Sequence, residues 1–263
     1  CQRGSGGTYP AACLSNHIAH GGGAAVEVPA WAARAGAMLG MSPELFFDSY
    51  SRSKLASGMG ITILLSVVSI AGCLAFGLVF GALDGWLRRG AWSIRLLRLP
   101  LTGVFAVARM TPPLIQLYLI FFGLSAILAN SYAITPGGFL TAAVVFSVYA
   151  GAANAVLISE SLARVRVEDP QATVWRLLPA ATERVFDGLM ASCVNIVKAV
   201  GMASTIAVAE RISVANTLIT DGGDARTLMN LLLVFYFGFV LLVVWLFGVA
   251  RRRLVSRSAR SQP

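Results

Sequence analysis

The chain has 263 residues, of which 57% are hydrophobic and 13% are charged, and its mean hydropathy is +0.74. A soluble domain usually carries about 25% charged residues, and a soluble fold of this length cannot hide so much apolar surface, so the composition predicts an integral membrane protein. The formal net charge of +9 comes from basic residues that stand between and after the apolar stretches. This pattern is typical of membrane-protein loops and speaks against nucleic-acid binding.

The N-terminal segment, residues 1–40, is rich in Gly and Ala and contains no apolar run of 18 residues and no signal-peptide pattern. Because the chain begins with Cys1, three interpretations stay open. The segment is sequence translated upstream of a true start at Met38 or Met41, or a disordered tail, or a mature N-terminus whose Cys1 is lipidated. We favour the first interpretation.

Five apolar stretches follow, each long enough to cross the hydrocarbon core, which takes about 20 residues. They lie near 59–83, 101–128, 138–159, 186–209 and 228–249. An amphipathic stretch at 43–54 comes before the first, and we expect it to lie on the membrane surface. Pro112 and Pro113 are expected to bend the second span. We therefore predict an all-α integral membrane bundle of about five transmembrane helices over residues 41–256, with 257–263 as a cytoplasmic tail.

Positive charge is concentrated in alternate connections of this bundle. The basic residues after the first, third and fifth spans are Arg88, Arg89, Arg95 and Arg98, then Arg164, Arg166, Arg176 and Arg184, then Arg251, Arg252, Arg253, Arg257 and Arg260. The connection at 129–137 has no charge, and the one between the fourth and fifth spans carries Arg226 against Asp221 and Asp224. Because cytoplasmic loops carry an excess of Lys and Arg, we expect the N-terminus outside and the C-terminus in the cytoplasm.

A few polar residues inside the spans are candidates for function. Lys198 lies in the middle of the fourth span, where a cation is expected to face the bundle interior or an aqueous path. A structural alternative is that Lys198 pairs with a carbonyl or a carboxylate and locks two helices together. Gln116 follows the proline pair and is expected to face the same interior, since transporters often build solute sites at bent helices. For Arg109, we favour anchoring at the membrane interface.

Small residues punctuate the first and third spans. Gly77 and Gly81 belong to the first, and residues 150–153 form a run of Ala and Gly in the third. Such residues let helices approach closely. Asn154, next to this run, is expected to hydrogen-bond across helices or to line a path.

The sequence offers no cluster of His, Cys and carboxylate residues for metal binding. The four cysteines form no CxxC pair, and the two histidines, His17 and His20, both lie near the N-terminus. We expect Cys73 and Cys193, inside apolar segments, to behave as small buried hydrophobes. No P-loop and no hydrolase motif occurs. We therefore predict a protein that is not an enzyme and has no metal or other cofactor.

From about Phe46 to the C-terminus, the chain resembles the polar amino-acid permease subunits of bacterial ABC importers. The most specific stretch is VARMTPPLIQLYLIFFGL, residues 107–124, which is similar to the family's Arg-x-Thr-Pro-Leu-hydrophobic-hydrophobic-Gln pattern followed by aromatic residues and Phe-Gly. The matching residues are Arg109, Thr111, Pro112, Gln116, Phe122 and Gly123. Segments 141–152, 178–181 and 195–210 are similar to further motifs of the family in the same order.

The resemblance implies a subunit that binds no nucleotide and works in the bacterial cytoplasmic membrane with three kinds of partner. These are a separate ABC ATPase subunit, a periplasmic or extracellular solute-binding protein, and a second permease subunit in a homo- or heterodimer. The pathway candidates on this reading are Lys198, Gln116, Thr111 and Asn154.

The cytoplasmic loop departs from the family's pattern. In the family, a helix with Glu-Ala-Ala and, a few residues on, Gly docks into the ATPase. Residues 164–179 read RVRVEDPQATVWRLLP here, which is about 11 residues too short, roughly three helical turns, and lacks that pattern. We expect the remaining coupling element to contact the ATPase through Gln171, Trp175 and Arg176. The Glu that is usual in the family's third span falls at Val156.

Three functions stay open. We favour a permease subunit of an ATP-driven importer that forms the path for a small polar solute, with amino acids as the expected class. The second is a self-contained carrier or channel. The third is an inactive permease relative or membrane anchor, for which the shortened loop is the main support.

Overall fold

A computed structural model describes residues 28–32, 34, 42, 44–88, 90, 96–206 and 208–260, with side chains described as far as Arg253. Several predictions lie outside these residues. They concern Cys1, Cys13, His17, His20, Met38, Met41, Arg89, Arg95 and the side chains of Arg257 and Arg260.

The described residues form helices and no strand. In chain order these are α1 (Glu44–Phe47), α2 (Ser49–Leu87), α3 (Arg98–Met110), α4 (Pro113–Tyr132), α5 (Gly138–Glu168), α6 (Val174–Arg184), α7 (Phe186–Ile206), α8 (Arg211–Thr220) and α9 (Ala225–Arg260). Five of them, α2, α4, α5, α7 and α9, are long and apolar enough to cross a membrane. The predicted all-α membrane bundle with five spans is therefore confirmed.

Helices α2 and α5 form the centre of the bundle and pack along most of their length. Glycines make this close approach possible, as we predicted from the small residues in the two spans. A Cβ atom added to Gly77 would lie 2.5 Å from the Cβ of Asn154, and one added to Gly81 would lie 2.9 Å from the Cβ of Ile158. Because real Cβ atoms do not approach so closely, any side chain larger than hydrogen would push α5 away.

The second predicted span is divided into two helices. Instead of bending one helix, the prolines end α3 at Met110, and Thr111 and Pro112 take extended conformations with ψ of 130° and 135° before α4 begins at Pro113. The residue before a proline is sterically disfavoured in the helical region, and two such positions in succession break the helix. The span itself is α4, Pro113–Tyr132, which contains a π-helical segment at Leu119–Leu124.

The amphipathic stretch 43–54 is not one surface helix. Only Glu44–Phe47 is separate, as α1, and α2 begins at Ser49, so the remainder of the stretch is continuous with the first span. The side chain of Asp48 accepts a hydrogen bond from the backbone N–H of Ser51 at 2.8 Å. This N-cap sets the start of α2.

The fourth span changes from an α-helix to a 3₁₀-helix before it ends. Helix α7 is α-helical to Ala199 and 3₁₀-helical over Val200–Ile206. The short helix α8 then packs back against α2 and α9. This return places Val208 and Glu210, between α7 and α8, inside the protein.

Candidate functional site

One side of α7 is left uncovered by the rest of the chain, although it lies within a membrane-spanning segment. In the α-helical part of α7, Phe186–Ala199, the exposed residues are Asp187, Ala191, Asn195 and Lys198, at intervals of four, four and three. With 3.6 residues per turn, these positions fall on a single stripe. We call this stripe the α7 polar face.

Lys198 lies near the middle of the span, and among the described residues it has no ion-pair partner. The ammonium group therefore points away from the bundle. An isolated Lys facing hydrocarbon at this depth costs about 2.5–3.5 kcal/mol on insertion scales. The α7 polar face is thus poorly suited to lipid and well suited to water or to a second polypeptide. Asp187, at the start of the face, bonds Arg251 of α9 at 2.9 Å.

The other three predicted pathway residues are placed differently. Gln116 donates from its amide nitrogen to the carbonyl oxygens of Ala108 and Thr111, so it binds together the broken ends of α3 and α4. The Thr111 hydroxyl donates to the carbonyl of Val107 at 2.8 Å. Asn154 is fully buried between α2 and α5. The structure does not bring these residues to the α7 polar face, and their pathway role stays a prediction.

Asn154 belongs to a small buried cluster with two cysteines. Its amide nitrogen lies 3.6 Å from the sulfur of Cys73, and its side-chain oxygen has no hydrogen-bond partner among the described residues. Cys73 and Cys193 are both buried and unoxidised, as predicted for small buried hydrophobes. Among the described residues, no group of three or more His, Cys, Asp or Glu side chains is arranged to hold a metal ion.

The three predicted ATPase contacts lie together on one exposed surface. Gln171 is in the turn before α6, and Trp175 and Arg176 are in its first turn, all exposed, with Trp175 at 72%. The opposite side of α6 buries Val174, Leu177 and Ala181 against the ends of α2 and α5. Helix α6 is therefore an amphipathic helix that lies across one end of the bundle and presents an aromatic and a basic side chain outward.

A buried polar cluster between α7 and α8 was not predicted. Glu210 is fully buried, and its Oε1 accepts hydrogen bonds from the backbone N–H groups of Ile212 and Ser213 at 2.9 and 3.2 Å. Its Oε2 accepts from the hydroxyl groups of Tyr236 at 3.1 Å and Thr62 at 3.3 Å. Glu210 thus caps α8 and ties it to α2 and α9. Burial raises the pKa of Glu210 above its usual value.

Arg211 completes this cluster. It is 1% exposed, and its guanidinium carbon lies 4.6 Å from the centre of the Phe235 ring, a cation–π geometry. Its Nη2 donates to the carbonyl of Leu231 at 3.5 Å. The sequence signal was present, because the adjacent charges of Glu210 and Arg211 directly follow an apolar run. The position of these two charged residues in the sequence does not by itself show that both side chains turn inward.

A second unpredicted cluster lies at the other end of α2. Asp84 is 3% exposed, and its two oxygens accept hydrogen bonds from Nε of Arg98 at 2.6 Å and Nε of Arg88 at 3.1 Å. The hydroxyl of Ser159 on α5 also donates to Asp84. These contacts fix the beginning of α3 to the ends of α2 and α5.

No protein-family model matches the sequence, and no curated protein matches it. The comparison with solved structures is informative. A chain of the crystal structure of an amino acid ABC transporter with histidines superposes with a TM-score of 0.59 at 18% identity, covering 77% of this chain and 94% of that one. A chain of the MetNI methionine ABC transporter in inward-facing conformations superposes at 0.64 and 19% identity, covering 79% and 99%.

The chain has the fold of these ABC transporter chains. A second crystal form of the same methionine transporter gives a TM-score of 0.63 over the same shares of the two chains. Because almost the whole length of each solved chain and more than three quarters of this chain are covered, the likeness is not confined to a few helices. At 18–19% identity, the likeness is one of fold.

Proposed function

We propose that this chain is the permease subunit of an ATP-driven ABC importer, and that the α7 polar face lines the path of a small polar solute. Lys198, exposed in mid-span without an ion-pair partner among the described residues, carries this proposal. The ABC transporter fold supports it, and the amino acid and methionine transporters with that fold favour amino acids as the solute class.

Because the rest of the chain leaves the α7 polar face uncovered, we expect a second permease subunit to cover it. In this proposal, two bundles place their α7 polar faces toward each other, so that Lys198 meets water and solute between them instead of lipid. The second subunit is another copy of this chain or a related chain. Rocking of the two bundles against each other would open the path alternately to the two sides.

The energy would come from a separate ATPase subunit, docked on α6. The N-terminus would be outside and α6 in the cytoplasm of a bacterium, because the arginine-rich connections lie at the α6 end of the bundle. Trp175 and Arg176 are placed to enter a pocket of that partner, since Trp and Arg are enriched at the centres of protein interfaces. A solute-binding protein would deliver solute at the opposite end.

Co-purification tests the docking surface. The full chain is expected to retain the ATPase encoded beside its gene in detergent and to stimulate ATP hydrolysis. Trp175→Ala is expected to reduce both, since a buried interface Trp often contributes 2 kcal/mol or more, about 30-fold in affinity. Trp245→Ala is the matched control, because Trp245 is also exposed, at 59%, but lies on α9. Equal effects of the two substitutions would contradict docking on α6.

The shortened loop favours one alternative, an inactive permease relative that has lost its coupling to an ATPase. Only α6, of 11 residues, and the turn before it stand between α5 and α7. A variant with an 11-residue docking helix inserted before α6 distinguishes the importer subunit from the inactive relative. If only the lengthened chain binds the ATPase, the native chain is uncoupled. If the native chain binds and stimulates equally well, the importer proposal stands. A self-contained carrier would move solute without any ATPase.

A further inference from the structure

A cavity of about 150 Å³ lies between α3 and the ends of α2 and α5. Five charged residues line it: Asp84, Arg88, Arg98, Arg109 and Glu160. Since each water molecule in the liquid takes about 30 Å³, the cavity has room for about five heavy atoms, which is the size of a phosphate group. We call it the arginine cavity.

The charges in the arginine cavity do not balance. Three guanidinium groups face two carboxylates, and Asp84 is already shared by Arg88 and Arg98. Among the described residues, Arg109 and Glu160 take part in no ion pair. Val156, one helical turn before Glu160, also lines the cavity and adds an apolar side chain to its wall. The cavity therefore has an excess of one positive charge and a guanidinium without a partner.

Arginine is the side chain best suited to bind phosphate, because its planar group presents several N–H donors that match two phosphate oxygens. Arg88 and Arg98 reach Asp84 through Nε, and both remain about one-third exposed toward the cavity, at 29% and 34% of the side chain. The two side chains are thus held in place by a buried carboxylate while their outer edges stay accessible.

The helix that forms one wall of the cavity is also covered with apolar side chains on its outer surface. Helix α3 buries only Phe105, whereas Leu99, Val107 and Met110 are 66%, 68% and 75% exposed. Thr102 and Arg109 of the same helix line the cavity. A cavity with an excess of positive charge and an apolar surface therefore lie side by side on one helix at one end of the bundle.

We propose that the arginine cavity binds the phosphate of an anionic phospholipid, whose acyl chains lie along the outer surface of α3. Basic pockets between transmembrane helices bind headgroups of this kind. A lipid with a net negative charge fits the excess positive charge, whereas phosphatidylcholine brings a positive group of its own. The adjoining apolar surface favours a lipid over free phosphate. This proposal does not depend on the transport function.

Native mass spectrometry of the full chain in detergent tests the site, with phosphatidylglycerol, phosphatidylcholine or inorganic phosphate added. The expected result is one phosphatidylglycerol retained per chain in preference to phosphatidylcholine. Arg109→Gln is expected to lower that retention about fivefold, the effect of one basic residue near an anionic headgroup, and Arg109→Lys less. Arg109 is exposed, so its replacement leaves the core intact.

Arg164→Gln is the matched control, because Arg164 is an exposed arginine near the same end of α5 that does not line the cavity. Retention should be unchanged in this variant. An equal loss in both variants would show a diffuse charge effect and overturn the proposal, as would unchanged retention in Arg109→Gln. Displacement of the lipid by inorganic phosphate at equal concentration would identify a free-phosphate site and overturn the lipid assignment.

Discussion

The Glu210 cluster allows a quantitative prediction about stability. Glu210→Ala removes the cap of α8 and the acceptor for two hydroxyl groups, that of Thr62, which is buried, and that of Tyr236, which is partly buried. The Thr62 hydroxyl keeps a second acceptor, the carbonyl of Gly58 at 2.9 Å, whereas the partly buried Tyr236 hydroxyl loses its carboxylate acceptor and keeps its contact with the Thr62 hydroxyl. The substitution therefore removes the hydrogen bond from Tyr236 to a carboxylate in addition to the cap.

The magnitude follows from these two losses. An N-cap contributes about 1 kcal/mol, and a hydrogen bond to a carboxylate contributes about 1.5–3 kcal/mol, so Glu210→Ala should destabilise the fold by about 3 kcal/mol. In a Tyr236→Phe background the hydrogen bond from Tyr236 to Glu210 is already absent, and the same substitution should cost roughly 1–2 kcal/mol less. Asp48→Ala is the control for capping alone, because Asp48 caps α2 near the protein surface, with an expected loss of about 1 kcal/mol.

The free energy of unfolding can be measured for the full chain in mixed micelles by titration with SDS, followed by far-UV circular dichroism. The reasoning is refuted if Glu210→Ala costs no more than Asp48→Ala. It is also refuted if the Tyr236→Phe background leaves the cost of Glu210→Ala unchanged, since Tyr236 would then not be the partner that Glu210 satisfies.

Three further predictions use the same assay. Gly77→Ala should destabilise by about 1–3 kcal/mol through overpacking against α5, whereas Gly238→Ala, with no atom within 4 Å of the new Cβ, should not; equal effects would contradict the close approach of α2 and α5. Burial raises the pKa of Glu210, so the folded state binds the carboxyl proton of Glu210 more tightly than the unfolded state does. The free energy of unfolding, relative to that of Glu210→Gln, should therefore fall as the pH rises above 4.5. Parallel pH profiles of the two proteins would contradict the burial of Glu210. Arg184→Ala should cost less than about 1 kcal/mol, because its ion pair with Glu168 is exposed, and a larger loss would indicate a structural role.

The number and type of the elements could be predicted from sequence because hydrophobic length is a strong, local signal. Each of the five spans contains an apolar stretch of about 20 residues. Four of the predicted stretches each overlap one spanning helix, and the remaining one, 101–128, is divided between α3 and α4. The close packing at Gly77 was predicted for the same reason, since small residues in an apolar helix have few other uses.

Helix ends were less accessible from the sequence. The proline pair was expected to bend a helix, but it ends α3, and the choice depends on whether a neighbour can satisfy the freed carbonyl groups. Gln116 satisfies two of them across the break, at Ala108 and Thr111. That contact is visible only when both segments are placed in space.

The two buried clusters were missed because they depend on contacts between distant segments. Glu210 reaches Thr62, 148 residues earlier in the chain, and Asp84 reaches Ser159, 75 residues later. A charge at the end of an apolar run is usually assigned to the membrane interface. Its inward orientation is decided by partners that a single sequence does not reveal.

Lys198 provides the most direct test of the central claim that the α7 polar face lines a solute path. The full chain, its ATPase and its binding protein can be placed in vesicles, and ATP-dependent uptake of a mixture of radiolabelled amino acids measured. Lys198→Ala should lower uptake at least tenfold while ATPase binding is retained. Arg226→Ala, which removes an exposed cation in the first turn of α9 and not in the middle of a span, should leave uptake unchanged. Uptake at the wild-type rate in Lys198→Ala would contradict the account.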